Sequence, residues 1–319
     1  MKKTLTLISS IFIFIGCVTS NIPKKTVRAP SFSFEELLSA EKVALPPLQY
    51  KEAGDKSRLA FREYVPQKME AILLFYHGGG TYSSGGYEFI GDGLSKQYNI
   101  LVVTPDIRGH GDSSGERGDT PSVAQVFDDI GLFIRYLRAQ YPGKSVFLGG
   151  HSSGGGLILN YSSFKNREKV EGYLFLSPHL GFRSKTEIED IPYPFATAKT
   201  SLFVKNAMFG THGHSPAVFF NYSKEILQSS KNIAAITVFM ANAQTPVAPD
   251  EQLQELILPV AIWIGENDEV LDAAKVTAFF KENSSKSSRK IIEKERHLSI
   301  LLTASNYLGP WLQKMVQEK

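Results

Sequence analysis

Between residues 71 and 176 the chain alternates short apolar runs with longer segments in which apolar residues recur at helical spacing. The runs at 71–76, 100–103, 146–148 and 170–176 predict strands, and the stretches 86–96, 123–140 and 155–164 predict amphipathic helices between them. Runs that are apolar on both faces, each followed by a helix, predict a parallel sheet covered on both sides. The alternation stops after Pro178 and resumes with a strand at 258–264, a helix at 271–282, a strand at 290–292 and a last helix at 299–317. Ahead of it, runs at 48–51 and 58–64 flank Gly54-Asp55, which predicts a hairpin on the sheet edge. The simplest organisation is an α/β core made of 48–179 and 257–319, interrupted by an insertion at 180–256. That insertion carries helix-like segments and the aromatics Phe195, Phe203, Phe209, Phe219 and Phe220.

Residues 1–16 read differently. Lys2 and Lys3 precede an apolar stretch of about eleven residues, too short to span roughly 30 Å of hydrocarbon as a helix and laid out as an export signal. It ends at Phe14-Ile15-Gly16-Cys17, which resembles a bacterial lipoprotein box apart from Phe14, where leucine is usual. The resemblance implies cleavage before Cys17, lipidation of that cysteine and a membrane-anchored place in the bacterial cell envelope, with a secreted or periplasmic protein as the alternative. Val18 is not the aspartate that marks inner-membrane retention, which leans towards an outer or surface location. Residues 17–47 then serve as tether and lead-in. Cys17 is the only cysteine, so no internal disulfide can form. The net charge of +3 falls close to neutral once the two leader lysines are gone, and nothing in it suggests a nucleic-acid partner.

Gly150-His151-Ser152-Ser153-Gly154 lies between the strand at 146–148 and the helix at 155–164. A G-x-S-x-G at a strand-to-helix turn holds the serine in a strained conformation and presents its hydroxyl at the helix N-terminus. A serine hydroxyl needs a base within hydrogen-bond reach and an acid to orient that base. In an open parallel sheet such groups gather at the carboxyl ends of strands. His77, His179 and His297 meet that condition most directly, with His110 a little further on. His297 follows the strand at 290–292 and precedes the last helix, where a base-bearing loop belongs. Asp268 follows the strand at 258–264, with Glu266, Glu269 and Asp272 nearby as competitors. The oxyanion of acyl transfer needs prepositioned N–H donors. His77-Gly78-Gly79-Gly80, at the end of the strand at 71–76, offers the N–H of Gly79, and Ser153 offers a second.

The order Ser152, Asp268, His297 matches the α/β-hydrolases, and the chain resembles that superfamily from about Tyr50 to Trp311. Within it, the run 105–118, Pro-Asp-Ile-Arg-Gly-His-Gly-Asp-Ser-Ser-Gly-Glu-Arg-Gly, is similar to the loop after the fourth strand in the monoacylglycerol lipase and lysophospholipase group, which includes serine aminopeptidases. The resemblance implies an α/β-hydrolase fold with a helical cap at 180–256. It implies Ser152 as nucleophile, Asp268 as acid and His297 as base. It also implies that Asp106 and Arg108 pair structurally within the loop framing the site. Ser153 stands where the group often has methionine, and three successive glycines are more typical of carboxylesterases of the hormone-sensitive-lipase type.

These readings converge on a metal-free, cofactor-free serine hydrolase acting on a small, lipid-like acyl ester. An amidase or aminopeptidase on the same triad, and a surface lipoprotein that binds without catalysis, stay open on sequence alone. A carboxylate in place of Ser152 would be needed for an epoxide hydrolase or a haloalkane dehalogenase.

Overall fold

A computed structural model describes residues 33–189 and 191–318. The predicted export signal at 1–16, Cys17 and most of the tether lie outside them. Strands β1 (Gln49–Glu52), β2 (Arg58–Tyr64), β3 (Ala71–Tyr76), β4 (Ile100–Pro105), β5 (Ser145–His151) and β6 (Tyr173–Leu176) precede the insertion. Within the insertion lie β7 (Ala196–Ala198), β8 (Pro216–Phe220) and β9 (Ala235–Thr237); β10 (Val260–Gly265) and β11 (Ser288–Ile292) follow it. The main sheet runs β1-β2-β4-β3-β5-β6-β10-β11. β2 is antiparallel to both β1 and β4, and every pairing from β4 to β11 is parallel.

Every residue of β3, β4, β6 and β10 is buried, as a strand covered on both faces requires. The alternation of side chains sorts β3 between two cores. Ile72, Leu74 and Tyr76 pack with the helices Val123–Gln140, Ser153–Ser162 and Ala273–Asn283, whereas Ala71, Leu73 and Phe75 pack with Glu88–Tyr98 and Ser305–Gln317. The predicted last helix is broken at Ala304 into Ile300–Thr303 and Ser305–Gln317.

The insertion departs from the helical cap expected of it. Alongside the helices Thr200–Phe209, Lys224–Ser229, Val238–Gln244 and Pro249–Gln254 it contains an antiparallel sheet in the order β7-β8-β9. Apolar runs of three to five residues carry too few positions to separate period 2 from period 3.6, and β8, Pro-Ala-Val-Phe-Phe, is such a run. Backbone hydrogen bonds fasten this insertion to the core on two sides, through Ile233 N–H to Gly80 C=O (2.8 Å) and Thr237 N–H to Gly118 C=O (3.0 Å), and through Ile188 N–H to Val270 C=O (3.2 Å).

The described part of the lead-in, mostly exposed, touches the body at Phe34 and Leu37. The helix Glu35–Ser39 brings Leu37 onto the second core, and the Phe34 ring sits 5.6 Å from that of Tyr222. One further expectation is corrected: Arg108 does not pair with Asp106. Its guanidinium clamps Asp129 through Nε and Nη2, both at 2.8 Å, and reaches Asp55 through Nη1 at 2.7 Å. Asp106 instead accepts the N–H groups of Ser83 and Asp112, each at 2.7 Å. A guanidinium offers five donors in a planar fork, so a buried one is best satisfied by carboxylates on separate elements. Among the described residues, no helix is long and apolar enough to cross a membrane.

Candidate active site

Ser152 occupies the junction between β5 and the helix Ser153–Ser162 with φ 53° and ψ −125°, a conformation costly for any residue with a Cβ. Its neighbours make that turn possible. A Cβ at Gly150 would stand 2.3 Å from the Gly154 carbonyl oxygen, and one at Gly154 would stand 2.5 Å from the carbonyl oxygens of both Tyr76 and His77. The glycines of the motif are therefore demanded by backbone lying against backbone. The Ser152 N–H donates to Leu176 C=O (3.1 Å), and the Ser152 carbonyl accepts from His179 N–H (2.9 Å), tying the turn to the end of β6.

The sequence-predicted partners converge on this serine from the ends of other strands. His297 Nε2 lies 3.0 Å from Ser152 Oγ, and His297 Nδ1 lies 2.8 Å and 3.0 Å from the two oxygens of Asp268. Asp268 Oδ1 also accepts the N–H groups of Val270 (3.0 Å) and Leu271 (2.9 Å). The nearby acids are engaged elsewhere: Asp272 caps the helix Ala273–Asn283, Glu266 accepts Lys294 N–H, and Glu269 accepts His297 N–H at 3.1 Å while pairing with Arg296. The other candidate bases have separate partners. His77 donates to Gly78 C=O and accepts Ile107 N–H, and His179 pairs with Glu187.

The glycine loop meets the serine directly. A Cβ at Gly78 would lie 3.1 Å from Ser152 Cβ, and one at Gly79 would lie 3.1 Å from Ser153 Oγ and 2.9 Å from the Phe220 ring. Only glycine lets this backbone pass between the serine turn and the insertion. Ser153 is the first residue of its helix, so its N–H has no intrahelical acceptor. Gly79, Ser152 and Ser153 form the floor of a cavity of about 370 Å³, roofed by the insertion through Ile188, Phe195 and Phe220.

Burial disfavours charge on Asp268, but the positive charge of His297, the hydrogen bond with it and the two backbone N–H groups outweigh burial and hold the carboxyl below its ordinary value. Burial likewise opposes protonation of His297. The charge of Asp268, its hydrogen bond and the more distant charge of Glu269 prevail, and the imidazole sits above its ordinary 6.5. His77 and His151 are the reverse case, with burial pushing them down to about 4 and about 3.

One set of contacts is not readable from the motif. His151 Nε2 lies 2.9 Å from the carbonyl oxygen of His297, which can only accept, so Nε2 carries the proton. Nδ1, 2.9 Å from Tyr87 Oη, must then accept from the phenol, and the phenol oxygen accepts Gly78 N–H at 2.7 Å. A single file of hydrogen bonds thus joins the glycine loop to the loop bearing His297. The sequence signal for it is weak: a histidine inside the serine motif and a tyrosine just before the helix Glu88–Tyr98.

A serine on a strained strand-to-helix turn, reached by a histidine and an aspartate from later strands of a mostly parallel sheet, defines an α/β-hydrolase. The model of the family described as serine aminopeptidase, S33, matches residues 67–301, and the chain belongs to that family. Human monoglyceride lipase is 34% identical over 125 residues, which is 39% of this chain and 41% of that enzyme. The monoglyceride lipase of Saccharomyces cerevisiae is 28% identical over 158 residues, 45% of this chain and 50% of that enzyme. Among the first relatives matched, the aligned part covers only 13% to 41% of the relative's length. A solved structure of a soluble variant of the S. cerevisiae enzyme, in complex with a substrate analogue, superposes with a TM-score of 0.67 at 20% identity, covering 86% of this chain and 97% of that one. That likeness supports the fold.

Tyr87→Phe leaves Gly78 N–H and His151 Nδ1 buried without a partner, and is expected to lower stability by about 1–3 kcal/mol. Urea unfolding monitored by tryptophan fluorescence checks this, and an unchanged midpoint would show that the file of bonds bears no load.

Proposed function

We propose that the protein is a serine esterase that cleaves small, lipid-like acyl esters, of the monoacylglycerol or lysophospholipid kind, through an acyl-enzyme. The reading is carried by the 3.0 Å contact between His297 Nε2 and Ser152 Oγ on the strained turn, with Asp268 fixing the far nitrogen. Ser152 Oγ attacks the ester carbonyl while His297 Nε2 takes its proton. The Gly79 and Ser153 N–H groups stabilise the oxyanion, and removing one such donor costs roughly 3 kcal/mol of transition-state stabilisation. His297 returns the proton to the departing alkoxide, and water, deprotonated by the same nitrogen, releases the acid. Asp268 stays ionised throughout and stabilises the imidazolium. Apart from the attacking water, the groups named in each step belong to this chain.

Peptide substrates with a free amino terminus would need a carboxylate in the cavity to receive the ammonium. Of the two glutamates lining it, Glu269 is taken by Arg296 and the His297 N–H, and Glu187 is held by His179 through Oε1 alone. A binding lipoprotein without catalysis would have no use for the aligned hydrogen bonds of Ser152, His297 and Asp268. The printed names of the relatives, monoglyceride lipases, support the ester reading. For the location, we propose a bacterial cell envelope, with Cys17 lipidated and the enzyme held at a membrane.

Ser152→Ala is expected to cut turnover of p-nitrophenyl butyrate by about 10⁶-fold, to background, without changing the thermal midpoint. Because His297 must be neutral to act and its pKa is raised, kcat/KM is expected to climb with pH through a limb centred above 6.5 and to be lost below it. In Asp268→Asn burial is no longer opposed by charge, so the limb moves to lower pH while the plateau falls about 10⁴-fold, as pH–rate profiles of the two proteins will read. Cys17→Ser, followed by membrane fractionation, is expected to release the protein from the membrane pellet.

A further inference from the structure

The cavity above Ser152 is not a plain hydrocarbon slot. Gln244, the last residue of the helix Val238–Gln244, lines it and is only 2% exposed. Neither its amide oxygen nor its amide nitrogen has a hydrogen-bond partner among the described residues. The Ser153 hydroxyl, on the floor of the same cavity, is buried and unpartnered as well. The amides around Gln244 behave differently: Asn160 Nδ2 bonds the carbonyls of Asn242 and Ala243, and Gln252 bonds Asn160. Buried amides and hydroxyls are almost always paired, because leaving them unpaired costs folding free energy. Two unpaired groups on side chains that line one cavity beside a nucleophile are groups that a bound molecule can satisfy once a side-chain rotation turns them to the cavity surface.

The position of Gln244 places this need close to the reacting carbon. Its backbone abuts the helix of the nucleophile, where a Cβ at Gly156 would meet Gln244 C=O at 2.4 Å, one turn beyond Ser152. With the leaving alcohol turned to His297 Nε2, which protonates it, the acyl part is the one left to extend into the cavity that Gln244 lines.

Resting on the esterase reading, we infer that Gln244, with Ser153 Oγ, forms a polar subsite for an oxygen-bearing group on the acyl chain. The substrates favoured under the insertion are esters of hydroxy- or oxo-acyl groups rather than of plain alkyl acids of the same length. The amide offers both a donor and an acceptor, so it can serve a hydroxyl or a carbonyl, and an acyl chain bearing neither leaves it unpaired.

The test compares kcat/KM for p-nitrophenyl 3-hydroxybutyrate and p-nitrophenyl butyrate in the wild-type protein, Gln244→Met and Gln244→Leu. Wild type is expected to favour the hydroxylated ester by at least about tenfold, since a site built to bond a hydroxyl rejects the analogue lacking it. Either variant is expected to bring the ratio to about one. Both remove a buried unpaired amide, so their thermal midpoints are expected not to fall. A parallel pair differing on the alcohol side, glyceryl monobutyrate against propyl butyrate, is expected to keep its wild-type ratio in the variants. A wild-type ratio near one, an unchanged ratio in a folded variant, or a change confined to the alcohol-side pair would overturn the subsite. Fluorophosphonate labelling of Ser152 is run alongside: absence of labelling refutes the esterase reading itself, whereas labelling with no acyl preference refutes only the subsite.

Discussion

The site rests on a steric constraint: the backbone at Ser152 is held at positive φ by close contact between three carboxyl-terminal strand ends. The glycines at 150 and 154 are there because the carbonyls of Tyr76, His77 and Gly154 occupy the space a methyl group would need. That approach sets the serine beside the glycine loop following β3, and the parallel register of β3, β5, β6, β10 and β11 delivers Asp268 and His297 to the same edge. A looser turn would leave each of these residues in place and still separate the hydroxyl from its base.

What the sequence made legible follows the range over which each signal acts. The parallel core could be read because each buried strand is a continuous apolar run punctuated by a helix, a pattern contained within about thirty residues. Ser152, Asp268 and His297 could be read because chemistry in such sheets collects at strand ends, so position along the chain substitutes for position in space. His151, Tyr87 and Glu269 could not be assigned their parts, because their partners lie far away in sequence and ordinary residues fill the same positions without consequence. The strands of the insertion escaped for a different reason: β7 and β9 have three residues each, and pairing, not periodicity, makes them strands. Arg108 was recognised as structural, but its partner was not, since a buried guanidinium selects its carboxylates by tertiary geometry.

The insertion supplies the walls of the cavity and is itself fastened to the glycine loop and to the strand end that carries Asp268. Tyr222 adds a hydrogen bond from its hydroxyl to Gly79 C=O at 3.2 Å, and Phe34 of the lead-in packs on that same tyrosine. The residues that wall the cavity and the glycine loop beside Ser152 are thus held to each other by hydrogen bonds. A change in the insertion that shifts β8 will be felt at Gly79 as well as in the shape of the cavity.

His151 and His297 have ring centroids only 4.8 Å apart, yet the structure gives them opposite electrical characters. A backbone amide at one end of the hydrogen-bond file and a backbone carbonyl at the other fix its direction, so His151 can neither change tautomer nor pass a proton along it. With its own titration pushed down to about 3, it stays neutral throughout the range in which His297 gains and loses charge. Of two adjacent imidazoles, one is a switch and the other an insulating strut. The scaffold that holds His297 therefore keeps its own charge whether that imidazole is neutral or protonated.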